Sequence, residues 1–176
     1  MLAQRLQQVA DILQAKDFQQ ALDALTEIES SGAESADFWQ LLALAHKGLG
    51  ELKDAEDSFL KSVQLLPQAH VLTNLANFYR QQRRNEAAEA RYQQALELDS
   101  SHLPARVNYG QLLLEVKQLT ASAQQFAAAL EQKPEHLNAQ IGLAQASQQL
   151  GDQENALALF QKVLSIDNNN AAALNG

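Results

Sequence analysis

Four histidines, His46, His70, His102 and His136, are the side chains of this sequence best suited to bind a metal or move a proton near neutral pH. A zinc-binding helix sets two histidines four residues apart, as in HxxxH or HExxH, so that both rings leave one face. No such pair occurs here, and His102 and His136 lie 34 residues apart in similar local settings. Asp54, Glu56 and Asp57 could share acid–base work. They open a helical stretch, however, where negative charge suits the helix dipole, and they read as solvated. The "GLG" at 48–50 lacks the Lys-Ser/Thr that completes a phosphate loop and reads as a helix-ending turn. There is no cysteine, which excludes disulfides, thiolate catalysis and cysteine-ligated zinc. No Ser/His/Asp set stands out. The expectation is a chain that is not an enzyme, with no catalytic residues, no metal and no cofactor.

The bulk of the sequence favours a helical protein. Its 176 residues suffice for a sizeable core, and the apolar share of 46% is that of a folding chain. Ala, Leu and Gln are abundant while glycine and proline are few, which suits helix. The net charge of −8 counts against generic nucleic-acid binding, which needs a basic surface to displace counterions. That charge is uneven: residues 69–102 balance four basic against four acidic groups, with Arg80, Arg83, Arg84 and Arg91 close together. No apolar run approaches the roughly 20 residues that span a membrane. The N-terminal "MLAQRLQQVADILQAKD" lacks the apolar centre of a signal peptide. The expected location is cytoplasmic, with no membrane and no nucleic-acid partner.

The elements that position these residues repeat. A small residue falls at Ala21, Ala55, Ala88, Ser122 and Ala156, in steps of 34, 33, 34 and 34. Four residues later come Leu25, Phe59, Tyr92, Phe126 and Phe160, and three further on Ile28, Ser62, Ala95, Ala129 and Val163. A second set precedes each: Gln8-Val9, Leu42-Ala43, Leu75-Ala76, Tyr109-Gly110 and Leu143-Ala144, with Gln8 where the others have Leu or Tyr. Both sets follow the 3.6-residue period that places them on single helix faces. Each unit therefore reads as two antiparallel helices separated by a turn, at "KDF", "GLGEL", "RRNE", "KQLT" and "LGDQ". Asn85, Thr120 and Asp152 are candidate caps of the helices that follow. Pro67 and Pro134 end their units, and Pro104 suits the start of a first helix.

The second unit, "DFWQLLALAHKGLGELKDAEDSFLKSVQLLP", carries Trp39, Leu42, Ala43, Gly50, Leu52, Ala55, Phe59 and Pro67 in a pattern that resembles the tetratricopeptide repeat (TPR) family. His46 stands where that family usually has tyrosine, and Tyr79 supplies it in the third unit. The likeness extends over five units, about 2–35, 36–68, 69–102, 103–136 and 137–170, with the start of a sixth helix at 171–176. The resemblance implies an all-α fold: a right-handed superhelix, or α-solenoid, of antiparallel helix pairs filling 1–176 as a single array. The small residues let helix axes approach to about 8–10 Å, and the aromatics fill the space between units.

In that family the first helices line a concave groove that usually binds a peptide or protein segment. By that resemblance the groove here presents His70, Thr73, Asn74, Asn77, Arg80 and Gln81 from the third unit. The fourth offers Val107, Asn108, Gln111, Leu114 and Glu115, and the fifth Asn138, Ile141, Gln145, Gln148 and Gln149. Asn74 and Asn108 are equivalent in successive units, and Asn77, Gln111 and Gln145 form a second row. A carboxamide both donates and accepts, so it can pair with a peptide backbone whatever the ligand's sequence. Some members of the family grip peptides with asparagine ladders; only two rungs stand here, since Leu41 and Gly142 replace the others. A carboxylate clamp of that family would need lysines along the first helices, and here only Lys47 is present, with Arg80 and Arg106 nearby.

The function expected is a protein-interaction scaffold that binds a peptide or partner segment in its groove, as part of a larger protein. The alternative is a structural or dimerising arm of a larger enzyme, such as the sulfotransferases or glycosyltransferases that follow similar arrays in bacterial proteins. "DNNNAAALNG" at the end starts a sixth unit without a polar capping helix. The face of Leu157, Phe160 and Leu164 is expected to be partly open there, as in a fragment or a homodimer formed through that end.

Overall fold

The computed structural model describes residues 1–175, and Gly176, the last residue of the expected sixth unit, lies outside the described residues. Ten helices run in pairs: α1 (Leu2–Gln14) with α2 (Phe18–Gly32), α3 (Ala36–Leu49) with α4 (Leu52–Leu65), and α5 (Ala69–Gln81) with α6 (Asn85–Leu98). Then follow α7 (Leu103–Glu115) with α8 (Leu119–Gln132), α9 (Leu137–Leu150) with α10 (Gln153–Ile166), and a final short α11 (Ala171–Leu174). No strand occurs among the described residues.

One turn serves all five pairs. Lys16, Gly50, Arg83, Lys117 and Gly151 each adopt a left-handed backbone, with φ between 59 and 88°. In each pair the next residue's N–H reaches back to a carbonyl five residues earlier, as in Glu51 N to His46 O (2.9 Å) and Gln118 N to Leu113 O (2.8 Å). The left-handed residue itself donates to the carbonyl three before it. This is a Schellman closure, which satisfies helix-end carbonyls and reverses the chain. It also sets where the second helix begins. Asp152 caps α10 as expected, accepting from Asn155 N at 3.2 Å. Asn85 and Thr120 do not cap: α6 starts at Asn85 itself and α8 starts at Leu119, so both residues are already helical.

The small and large positions pack as one layer. Ala21, Ala55, Ala88, Ser122 and Ala156 are at most 2% exposed, and Leu25, Phe59, Tyr92, Phe126 and Phe160 at most 3%. Where a spacer is serine, its hydroxyl is satisfied across the contact: Ser62 donates to Ala36 O and Ser122 to Gly110 O, both at 2.8 Å. A buried hydroxyl without such a partner would cost about 1–3 kcal/mol. First helices of neighbouring units touch directly at three of the four junctions, α1 with α3, α5 with α7 and α7 with α9, while α3 with α5 and successive second helices do not pack comparably. The array therefore curves with its first helices inside.

At the far end the structure departs in part from expectation. Leu157 is 58% exposed, but Phe160 is buried, because Ala173 of α11 packs onto the cluster of Ala144, Ala156, Phe160 and Val163. One turn of helix is enough to cover the ring.

Candidate functional site: the concave groove

The inner face is built from one side of α1, α3, α5, α7 and α9. Its first depression lies between α1 and α3 and is mixed, with Leu2, Leu6, Ala10 and Leu41 beside Gln7, Ser35, Asp37 and Gln40. A second lies across α5, α7 and α9, where Arg80, Asn108, Gln111 and Asn138 stand over Val107 and Ile141. The leucines gather at the α1–α3 end of the groove, and Asn108, Gln111 and Asn138 at the other. The leucines at α1 and α3 were not among the residues anticipated from sequence; their signal was Leu41 at the position of Asn74 and Asn108, beside Ala10 at the position of Asn77, Gln111 and Gln145.

The amides differ in what they have left to offer. The carboxamides of Asn74, Asn108 and Gln145 are half-buried and have no hydrogen-bond partner among the described residues. Asn77 Oδ1 accepts the Tyr92 hydroxyl at 2.5 Å, so this side chain is held in place, with its amide nitrogen and one oxygen lone pair left over. Gln111 donates to Glu115 at 3.3 Å, and Gln148 is half-buried on α9. His70 bridges two units through a 2.9 Å contact from Nε2 to Gln40 Oε1. Thr73 brings no free group: it is buried, and its hydroxyl donates to Ala69 O at 2.7 Å. The third rung is absent for a steric reason. A Cβ on Gly142 would lie 2.3 Å from the Phe126 ring.

The four arginines do not form one patch. Arg84 pairs with Glu56 at 2.6 Å and lies 4.3 Å over the Tyr79 ring, turned toward α4. The Arg84 hydrogen bond, against some burial, holds the Glu56 carboxyl below the usual range. Burial and Glu56 together push the Tyr79 phenol up. Arg83 is the exposed left-handed residue of its turn. Arg80 alone faces the groove, its Nη1 3.4 Å from Asn108 O and its Nε 3.9 Å from Glu115.

Away from the groove, His46, Glu51 and Asp54 bring three ligand-type atoms within 4.8 Å of one another at the α3–α4 turn. Sequence spacing missed this group because it spans a turn rather than a helix face. His46 Nδ1 and Glu51 Oε2 already meet at 2.6 Å, and both carboxylates are exposed. That contact suffices to tie the turn.

A stack of five helix pairs, each turned by a Schellman closure, with an open amide-bearing inner face, defines a helical-repeat protein. The family model for the tetratricopeptide repeat matches residues 11–70, 73–134 and 110–171, and the chain belongs to that family. Among curated proteins it is similar to the human protein RRP5 homolog, 29% identical over 134 residues, which is 75% of this chain. The chain spans only 7% of that protein's length. Among solved structures it is similar to YrrB, a TPR protein with an unusual peptide-binding site, at 20% identity and a TM-score of 0.78, covering 97% of this chain and 89% of YrrB. It is also similar to pilF of Pseudomonas aeruginosa, at 19% identity and a TM-score of 0.84, covering 98% and 87%. At such identities these structures speak to the fold. None of the described helices is long and apolar enough to cross a membrane.

Proposed function

We propose that this chain is a scaffold that binds an extended segment of another protein along its concave groove. The observation that carries the reading is the pair Asn74 and Asn108. Two equivalent carboxamides, one repeat apart, stand half-buried with donors and acceptors unused. A half-buried amide gains from a partner that an extended backbone supplies at regular intervals. The likeness to YrrB, itself described as having a peptide-binding site, is consistent with this use of the fold.

The structural-arm reading, with no groove ligand, competes with it, and the exposed Leu157 and Leu174 favour a contact at the far end. Panning the whole chain against a random peptide library tests both. Peptides captured with affinity that depends on Asn74 and Asn108 support the groove. A failure to enrich any peptide, together with self-association that Leu157→Ser abolishes, supports the arm.

A further inference from the structure

Lys47 and Arg80 occupy equivalent positions near the C-terminal ends of the first helices α3 and α5. Lys47 is half-buried, and its ammonium has neither a hydrogen bond nor an ion pair among the described residues. Burial pulls its pKa down, which marks a cation missing a counter-charge. The helix end does not supply one: His46 O and Lys47 O are already taken by Glu51 N and Gly50 N. Arg80 is similarly under-used. Its two contacts, at 3.4 and 3.9 Å, are both longer than the roughly 2.7–2.9 Å of a charge-assisted hydrogen bond.

Resting on the peptide-groove reading, we propose that Lys47 and Arg80 together receive an aspartate or glutamate side chain within the bound segment. The acid is internal to that segment. On one side the groove continues into the depression where Leu2, Leu6 and Leu41 stand beside Asp37 and Gln40. On the other it continues past Asn108 and Gln111 to Ile141. A chain that uses both halves crosses α3 and α5, the two helices that carry Lys47 and Arg80. A segment ending there in a terminal carboxylate would leave half the groove empty. The occupant is thus an extended peptide with an apolar residue for the α1–α3 depression and an acid for the Lys47–Arg80 pair. On a protein of net charge −8, whose groove also carries Asp37 and Glu115, the two cations offer an acid a local attraction.

The test uses the whole 176-residue chain and a pool of random peptides of about 12 residues, long enough to run about 40 Å extended. One arm displays the peptides between fixed flanks, with no free end; a second presents them with a free C-terminus. Each arm is selected on the wild type, on Lys47→Met/Arg80→Met and on the charge-keeping Lys47→Arg/Arg80→Lys. Circular dichroism establishes that each variant is helical. The expected result is an Asp or Glu at one internal position of the flanked peptides, lost with the Met variant and kept with the charge-keeping one. A synthetic binder with that acid changed to its amide then binds wild type about tenfold more weakly, a difference of about 1.4 kcal/mol. This peptide-side arm needs no folded variant. Binders without an acid, an acid preference that survives the Met variant, or binding only through a free C-terminal carboxylate would each overturn the proposal while leaving the groove in use. Enrichment of no peptide in either arm would overturn both readings.

Discussion

The Tyr92 hydroxyl donates to Asn77 Oδ1 at 2.5 Å, joining the packing layer of the third repeat to its groove. Tyr92 is fully buried between units as a space-filling ring, stacked 5.9 Å from Tyr109. Through this one bond it also fixes a groove amide that a phenylalanine at the same position could not hold. Replacing Tyr92 with Phe should cost about 1 kcal/mol of stability, the worth of one such bond. Calorimetry reads that loss, and the Asn77 side-chain NMR signals should show the released amide.

The same ring predicts an alkaline weakness. Burial pushes the Tyr92 phenol up to about 12, against about 10 in an unfolded chain. Below pH 10 both states keep the proton, and the stabilisation is complete. Between pH 10 and about 12 the unfolded state ionises first, so stability falls as pH rises through that window. Tyr79 and Tyr109 are shifted the same way by burial and by their carboxylate partners. Urea midpoints measured from pH 9 to 12 should fall less steeply in Tyr92→Phe than in wild type; parallel curves would contradict the assignment.

Gly142 looks from sequence like a ladder rung waiting for asparagine. The structure forbids the change. Any Cβ there meets Phe126 Cζ at 2.3 Å, and a Cβ on Gly110 would lie 3.0 Å from the same ring. Both Gly142→Ala and Gly142→Asn should destabilise by roughly 1–3 kcal/mol, the usual cost of overpacking. A Gly142→Asn protein as stable as wild type would show that the ring has room to move.

The five turns offer a paired experiment. Gly50 has open space around its missing Cβ, so Gly50→Ala should pay only for its left-handed backbone, about 1 kcal/mol. Lys117 holds the same conformation with a side chain, at φ 64°. Lys117→Gly should therefore be stabilising, by roughly 0.5–1 kcal/mol after the entropy of the unfolded glycine. Thermal melts of the two variants should move in opposite directions.

The helix pairs were legible because every unit repeats small and large apolar positions at one spacing, from Ala21 and Leu25 through Ala156 and Phe160. The left-handed turn position also repeats, at 16, 50, 83, 117 and 151. Three of its five residues are Lys or Arg, however, so no glycine pattern announced it. That is why Asn85 and Thr120 passed for caps when the turn had already set the helix starts. Resemblance assigned the candidate groove residues to first helices, and they lie on α5, α7 and α9. Their partners could not be assigned so, since Tyr92 to Asn77, Ala69 to Thr73 and Glu56 to Arg84 depend on side-chain reach rather than sequence order.

The central claim is that Asn74 and Asn108 grip a bound backbone. Fluorescence anisotropy with the tightest end-blocked peptide from the library tests it most directly, comparing wild type with Asn74→Ala, Asn108→Ala and the double variant. Each lost hydrogen bond should cost about 1 kcal/mol, so the double variant should bind about thirtyfold more weakly at unchanged helicity. A folded double variant that binds as tightly as wild type would contradict the account.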